Sequence, residues 1–181
     1  ESITLKEAFQ DYIRVRELKP NTVNGIKAEL DNTFGKWKKK PITSITRRMV
    51  EKRYLERVKE SKSRANVSMR YLRAVFNLAI SEYRDSEDNP IITSNPVNVL
   101  SESKLWRKVS RRKTVLKPAD LEKWVPAVKA LGDKPTRKLG TGRQYPKLRN
   151  GAVHGDVFLF CAMTGCRKTE ALGLKKSDVD F

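Results

Sequence analysis

Apolar residues at positions 5, 8, 9, 12, 13 and 15 recur at helical spacing between Ile3 and Leu18, and Thr4 and Glu7 stand at the separation of a capping box, which predicts a first helix. Pro20 suits the first turn of a second helix that carries Val23, Ile26 and Leu30 on one face and runs to about Phe34, where Gly35 stops it. Thr46 can cap a third helix, with Met49, Val50, Tyr54, Leu55 and Val58 as its apolar side. From about Ser63 to Tyr83, Val67, Tyr71, Leu72, Val75, Phe76, Leu78, Ala79 and Ile80 make a broad stripe, so the fourth and longest helix is expected to lie centrally.

Asp85 to Asn98 breaks this pattern with acidic and polar residues and two Asn-Pro pairs, at 89–90 and 95–96, and predicts a turn-rich connection near a domain edge. Pro118 opens another helix with Leu121, Trp124, Val125 and Val128 on its apolar face and Asp120 and Glu122 near its positive end. Gly132 to Asp156, rich in Gly, Lys, Arg and Pro and without periodicity, is expected to be a long loop. A buried helix over Val157–Met163 should then end at Gly165 in the left-handed geometry, with a short amphipathic helix starting at about Arg167.

Charge changes the picture most. Among 181 residues, 39 Lys and Arg face 21 Asp and Glu, a net +18 that favours a polyanionic partner, nucleic acid before all others. No run approaches the ~20 apolar residues of a spanning helix and no leader pattern opens the chain, so a cytoplasmic protein without a membrane partner is expected. Cys161 and Cys166 with a single histidine cannot assemble a four-ligand metal site, and both read as reduced packing residues; neither metal nor cofactor is expected. Between Lys104 and Lys117, Lys104, Arg107, Lys108, Arg111, Arg112, Lys113 and Lys117 meet no acid, which suits an arm along a phosphate backbone or, alternatively, a solvated linker. Lys36, Lys38, Lys39 and Lys40 suit phosphate anchoring rather than base reading, because a lysine is a flexible point charge. Six more basic residues in the 132–156 loop could also touch DNA.

The run Thr164-Gly165-Cys166-Arg167-Lys168-Thr169-Glu170-Ala171-Leu172-Gly173-Leu174, followed by Asp178-Val179-Asp180, resembles the first arginine motif of the tyrosine recombinases, the phage-type integrases. Leu18-Lys19-Pro20-Asn21-Thr22 and Asn95-Pro96 are similar to that family as well. The resemblance implies a mainly α fold: a four-helix, SAM-like core-binding domain at 1–100, a basic interdomain linker at 101–117, and the start of a mostly helical catalytic domain, truncated, at 118–181. It implies a clamp on double-stranded DNA, self-association on DNA in the full-length protein, and cleavage without metal through a phosphotyrosyl bond.

Arg167 takes the catalytic role by motif, its planar fork able to hold two nonbridging oxygens as charge grows on the phosphorus. Glu170 is equally readable as its orienting partner or as an ordinary surface pair. The family's second and fourth helices face DNA, which nominates Asn21, Asn24 and Lys27, then Ser63, Arg64, Asn66, Arg70 and Arg73. The catalytic lysine, the second arginine motif, its histidine partners and the nucleophilic tyrosine are expected beyond Phe181, since Tyr12, Tyr54, Tyr71 and Tyr83 sit in core patterns and Tyr145 lies in a basic loop. A chain that begins at Glu1 and stops as Asp-Val-Asp-Phe starts a strand-like run reads as a piece of a longer protein, binding DNA but not cutting it. A noncatalytic helical DNA-binding regulator and a basic RNA-binding protein of ribosomal type remain open.

Overall fold

The computed structural model describes residues 3–111, 113–132 and 150–178. It is mainly α, with eight α-helices and no strand among the described residues, and it divides into two compact units, Glu1–Arg111 and Arg112–Phe181.

In the first unit, α1 (Leu5–Val15) begins with the expected capping box: Thr4 Oγ1 accepts from the Glu7 N–H at 3.3 Å, and the Glu7 carboxylate accepts from the Thr4 N–H at 2.7 Å. α2 (Pro20–Asn32) starts at its proline, and a 3₁₀ turn over Gly35–Trp37 follows it. α3 (Arg47–Glu60) is capped by Thr46, and α4 (Lys62–Glu82) by Ser61, a single residue that also ends α3. As its stripe predicts, α4 packs against α1, α2 and α3. Phe9, Phe34, Ile26, Tyr54, Met69, Leu72 and Phe76 are among the side chains buried there, with Phe34 between Phe9 and Trp37 in a tilted aromatic stack.

The polar connection after α4 is tied down by Asn95. Its amide donates to the Arg73 carbonyl at 2.9 Å and to Asn77 Oδ1 at 2.7 Å, while its own Oδ1 accepts from the Val97 N–H. The chain then forms a short helix that periodicity did not reveal, α5 (Val99–Glu102), and reverses through Lys104 in the left-handed region, φ 50°. That reversal returns Leu105 and Trp106 to the core, so the first unit reaches beyond residue 100 and includes residues 101–111 of the segment expected as linker.

In the second unit, α6 (Pro118–Lys129) packs against α7 (Gly151–Thr164), which in turn meets α8 (Lys168–Gly173). One expectation is corrected here. Residues 151–156 are helix rather than loop, because Asn150 takes a left-handed backbone, φ 59°, that launches α7 six residues before the apolar run. Gly155 is where the helices touch: a Cβ there would lie 2.7 Å from the Val128 carbonyl oxygen. The rest of the expected loop, residues 133–149, lies outside the described residues, as does Tyr145. From Val157 to Met163 α7 is apolar on every side, but it is not buried as expected: Phe158, Phe160 and Met163 are exposed, as are Val153 before them and Leu172 and Leu174 around α8.

Candidate nucleic-acid interface

Two stretches well separated in sequence, 63–73 and 106–109, meet on the first unit. Ser63, Asn66, Val67, Arg70 and Arg73 of α4 face Trp106, Arg107, Lys108 and Val109 across an open groove of about 530 Å³. Helical spacing places Ser63, Asn66, Arg70 and Arg73 on one side of α4, and the extended segment after Trp106 runs beside it. Among the described residues no carboxylate pairs with Arg70, Arg73, Arg107 or Lys108. All four are exposed. An uncompensated set of cations in a concave surface attracts a polyanion and can position it.

The segment is fixed by its main chain. The Arg107 N–H donates to the Tyr54 hydroxyl at 2.7 Å, that hydroxyl donates to Asn66 Oδ1 at 2.8 Å, and the Asn66 amide donates to the Arg107 carbonyl at 2.9 Å. Trp106 packs edge-on against the Tyr54 ring at 5.7 Å and donates its indole N–H to Ser101 Oγ. Asn66 is therefore buried, with both polar groups of its side chain engaged inside the protein. A polar residue set among the buried positions of α4 was the one sequence sign of this, while Tyr54 read simply as core.

The other nominated residues stand elsewhere. Arg64 reaches back to Glu29, Nη1 to Oε1 at 3.2 Å, although most of its side chain is exposed. Asn21, Asn24 and Lys27 lie on the exposed side of α2, outside the groove. Lys27 and Lys38 border a different shallow cleft beside α1, and Lys38 pairs with Asp31. The lysine connector also serves α1, whose Leu5 and Lys6 N–H groups donate to the Lys40 and Lys38 carbonyls at 2.9 and 3.1 Å. Lys36, Lys39 and Lys40 are exposed, as are Lys104, Arg111 and Lys113, while Arg112 lies outside the described residues.

Beneath this surface Glu29 is only 2% exposed. Its carboxylate accepts from Thr33 Oγ1 at 2.7 Å, Ser68 Oγ at 3.0 Å and Arg64, and faces Arg57 Nη2 at 3.8 Å. Burial raises its pKa, but the hydrogen bonds from Thr33, Ser68 and Arg64 and the charge of Arg57 outweigh it and leave the group below its usual value. Tyr83 is pushed well above the ordinary tyrosine range, first by burial and then by its hydrogen bond to Asp11.

In the second unit Gly165 ends α7 with φ 70°, the left-handed cap that its position predicts. Arg167 follows as the N-cap of α8, its N–H held by Glu170 at 2.7 Å and its guanidinium 3.3 Å from the same carboxylate. The side chain is 85% exposed, so the fork is available to a ligand. His154 sits in the first turn of α7 with Nδ1–H donating to the Asn150 carbonyl. Sγ of Cys161 and Cys166 lie 4.0 Å apart as free thiols, and partial desolvation with the neighbouring thiol raises the Cys161 pKa. Among the described residues no cluster of metal-ligating side chains occurs and no helix is long and apolar enough to cross a membrane.

No protein-family model and no curated protein sequence matches the chain. Solved structures do. The Tn1549 transposon integrase in complex with transposon right end DNA shares its fold with a TM-score of 0.70 at 23% identity, covering 98% of this chain and 50% of the other. The same integrase with circular intermediate DNA gives 0.71 at 23% identity, covering 99% and 52%. The chain thus has the fold of these integrase structures and spans about half their length.

Proposed function

We propose that this chain is the DNA-gripping part of a tyrosine recombinase, together with the first active-site arginine. The longer parent would carry out site-specific DNA recombination, the integration and excision of a phage or genomic island. The single observation that carries the reading is the acid-free groove in which Arg70 and Arg73 converge with Arg107 and Lys108, on a fold shared with an integrase solved on DNA. The apolar α7 agrees with it: a helix hydrophobic on all sides is normally buried, and further chain in the parent would cover Phe158, Phe160 and Met163.

In this reading the groove holds phosphates and fixes the register of the duplex, and the basic residues outside it add diffuse attraction. Arg167 then meets the scissile phosphate. As a tyrosine hydroxyl from elsewhere in the parent attacks the phosphorus, charge accumulates on the nonbridging oxygens, and the guanidinium donates to two of them in a planar fork. Glu170 fixes the main chain of Arg167 at the start of α8 and lies 3.3 Å from its guanidinium, which places the base of the fork while its exposed end stays free to meet the phosphate. The charge stabilisation this chain supplies to these steps is the Arg167 guanidinium.

The alternative, a noncatalytic helical DNA-binding regulator, draws on the Arg167–Glu170 pair, which by geometry alone is also an ordinary exposed i,i+3 ion pair. Duplex binding by this chain, followed by fluorescence anisotropy across a salt series, tests the shared claim. Each of the four groove cations should contribute about 0.9 to the slope of log affinity against log salt, so replacing all four by alanine should lower the slope by about 3.6. A slope that does not change, or a preference for RNA over duplex DNA in competition, overturns it. Covalent trapping of the full-length parent on a nicked suicide substrate separates recombinase from regulator.

A further inference from the structure

We infer that Tyr54 and Asn66 are positioning residues for the DNA groove: together they clasp both main-chain groups of Arg107 and so fix where the basic segment leaves the first unit. The inference rests on the groove reading above and adds to it the parts that hold the groove open at one geometry.

An extended segment carrying Arg107 and Lys108 has no helix or sheet ladder to hold it, and its own charges repel those of Arg70 and Arg73. Left free, it would sample many conformations and lose that freedom on binding. The structure supplies instead a closed three-member circuit. The buried Tyr54 hydroxyl accepts from the Arg107 N–H and donates its own O–H to Asn66 Oδ1, and the Asn66 amide N–H donates to the Arg107 carbonyl. Both main-chain groups of residue 107 are thereby hydrogen-bonded, as they would be in a sheet ladder, while its side chain remains exposed. Tyr54 comes from α3 and Asn66 from α4, so the clasp also ties the segment to the contact between those helices. Trp106 against the Tyr54 ring closes the apolar side.

Tyr54→Phe removes the hydroxyl and keeps the ring. Its amide hydrogen exchange should lose protection at Arg107 while the core amides of α1, α2 and α4 keep theirs. Duplex affinity should fall at least threefold, with a shallower salt dependence. The comparison that decides is a double-mutant cycle with Arg107→Ala/Lys108→Ala. With about two phosphate contacts gone, that variant should lose roughly 12-fold less affinity than the wild type between 50 and 200 mM salt. On that background Tyr54→Phe should change affinity by less than twofold, because the clasp has nothing left to position. Asn66→Ala, which breaks the circuit at its other member, should reproduce the Tyr54→Phe behaviour and stands in for it if that variant fails to fold.

Equal loss from Tyr54→Phe with and without Arg107 and Lys108 would mean a general loss of fold integrity and sinks the clasp while leaving the groove. Unchanged duplex binding by Arg107→Ala/Lys108→Ala removes the groove reading, and the clasp with it.

Discussion

Replacing Glu29 by glutamine probes the interior that supports α4. Glu29 is an ion taken almost wholly out of water, and three side chains donate to its carboxylate. Glutamine keeps the length and one acceptor but removes the charge that faces Arg57 and Arg64. Breaking a buried pair by removing one partner costs about 3–5 kcal/mol. Two features reduce that here, since Arg64 is mostly exposed and can turn to water, and Arg57 keeps Glu60. A loss of about 2–4 kcal/mol at neutral pH is expected from urea denaturation, with helical circular dichroism as the signal.

The pH dependence gives the sharper check. Because the folded state holds the Glu29 pKa below the unfolded value, the unfolded chain binds the proton more readily, and stability from this group is fully present above the usual value of 4.5. It is lost as the pH falls through the folded pKa, so the gap between wild type and Glu29→Gln should shrink as the pH drops from 4.5 downward. A gap under 1 kcal/mol at pH 7, or one that stays constant down to pH 3, would refute the assignment of Glu29 as an ionised buried partner.

In the second unit, Gly155→Ala sets a helix-propensity gain of about 1 kcal/mol against overpacking of about 1–3 kcal/mol where the new methyl meets the Val128 carbonyl. A net loss is expected, read as reduced amide protection in α6 and α7 with the first unit unaffected. At Gly165, φ 70° makes alanine cost about 1–2 kcal/mol and asparagine less, an order that protection of the last turn of α7 should follow. Arg167→Lys in the full-length parent should keep duplex binding and lose strand cleavage on a suicide substrate by about 10²–10³-fold, the scale of removing one preset donor; retained cleavage would take Arg167 out of the reaction.

Helices α1 to α4 were legible because their signals are local: Thr4 with Glu7, Pro20, Thr46 and the α4 stripe each act within a turn or two of their own position. Gly165 and Pro118 were legible for the same reason. What escaped depends on distant partners. Glu29 looks like any polar helical residue until Ser68, thirty-nine positions later, and Arg57 close around it. Tyr54, Asn66 and Arg107 are separated by 12, 41 and 53 residues, and no periodicity connects them. α7 was placed late because Gly151 and Gly155 weaken helix propensity, whereas at 155 the absence of a side chain is what lets Val128 approach.

A groove lined by cations faces a conflict, because the charges crowded into it repel one another and work against the fold that presents them. Carboxylates would relieve the repulsion but would also cancel the field. The described ion pairs lie elsewhere: Asp31 holds Lys38, Glu56 holds Arg53, and Glu29 and Glu60 share Arg57. Across the groove the holding is done by neutral groups acting on main chain. Asn95 grips the Arg73 carbonyl, and Tyr54 with Asn66 grips both sides of Arg107. Neutral amide and hydroxyl hydrogen bonds of this kind are little affected by salt, so they hold at ionic strengths that screen the attraction of the cations for a polyanion. The geometry of the site and its affinity are thus set by different interactions. That separation lets the main-chain geometry around Arg73 and Arg107 persist despite the repulsion among the cations.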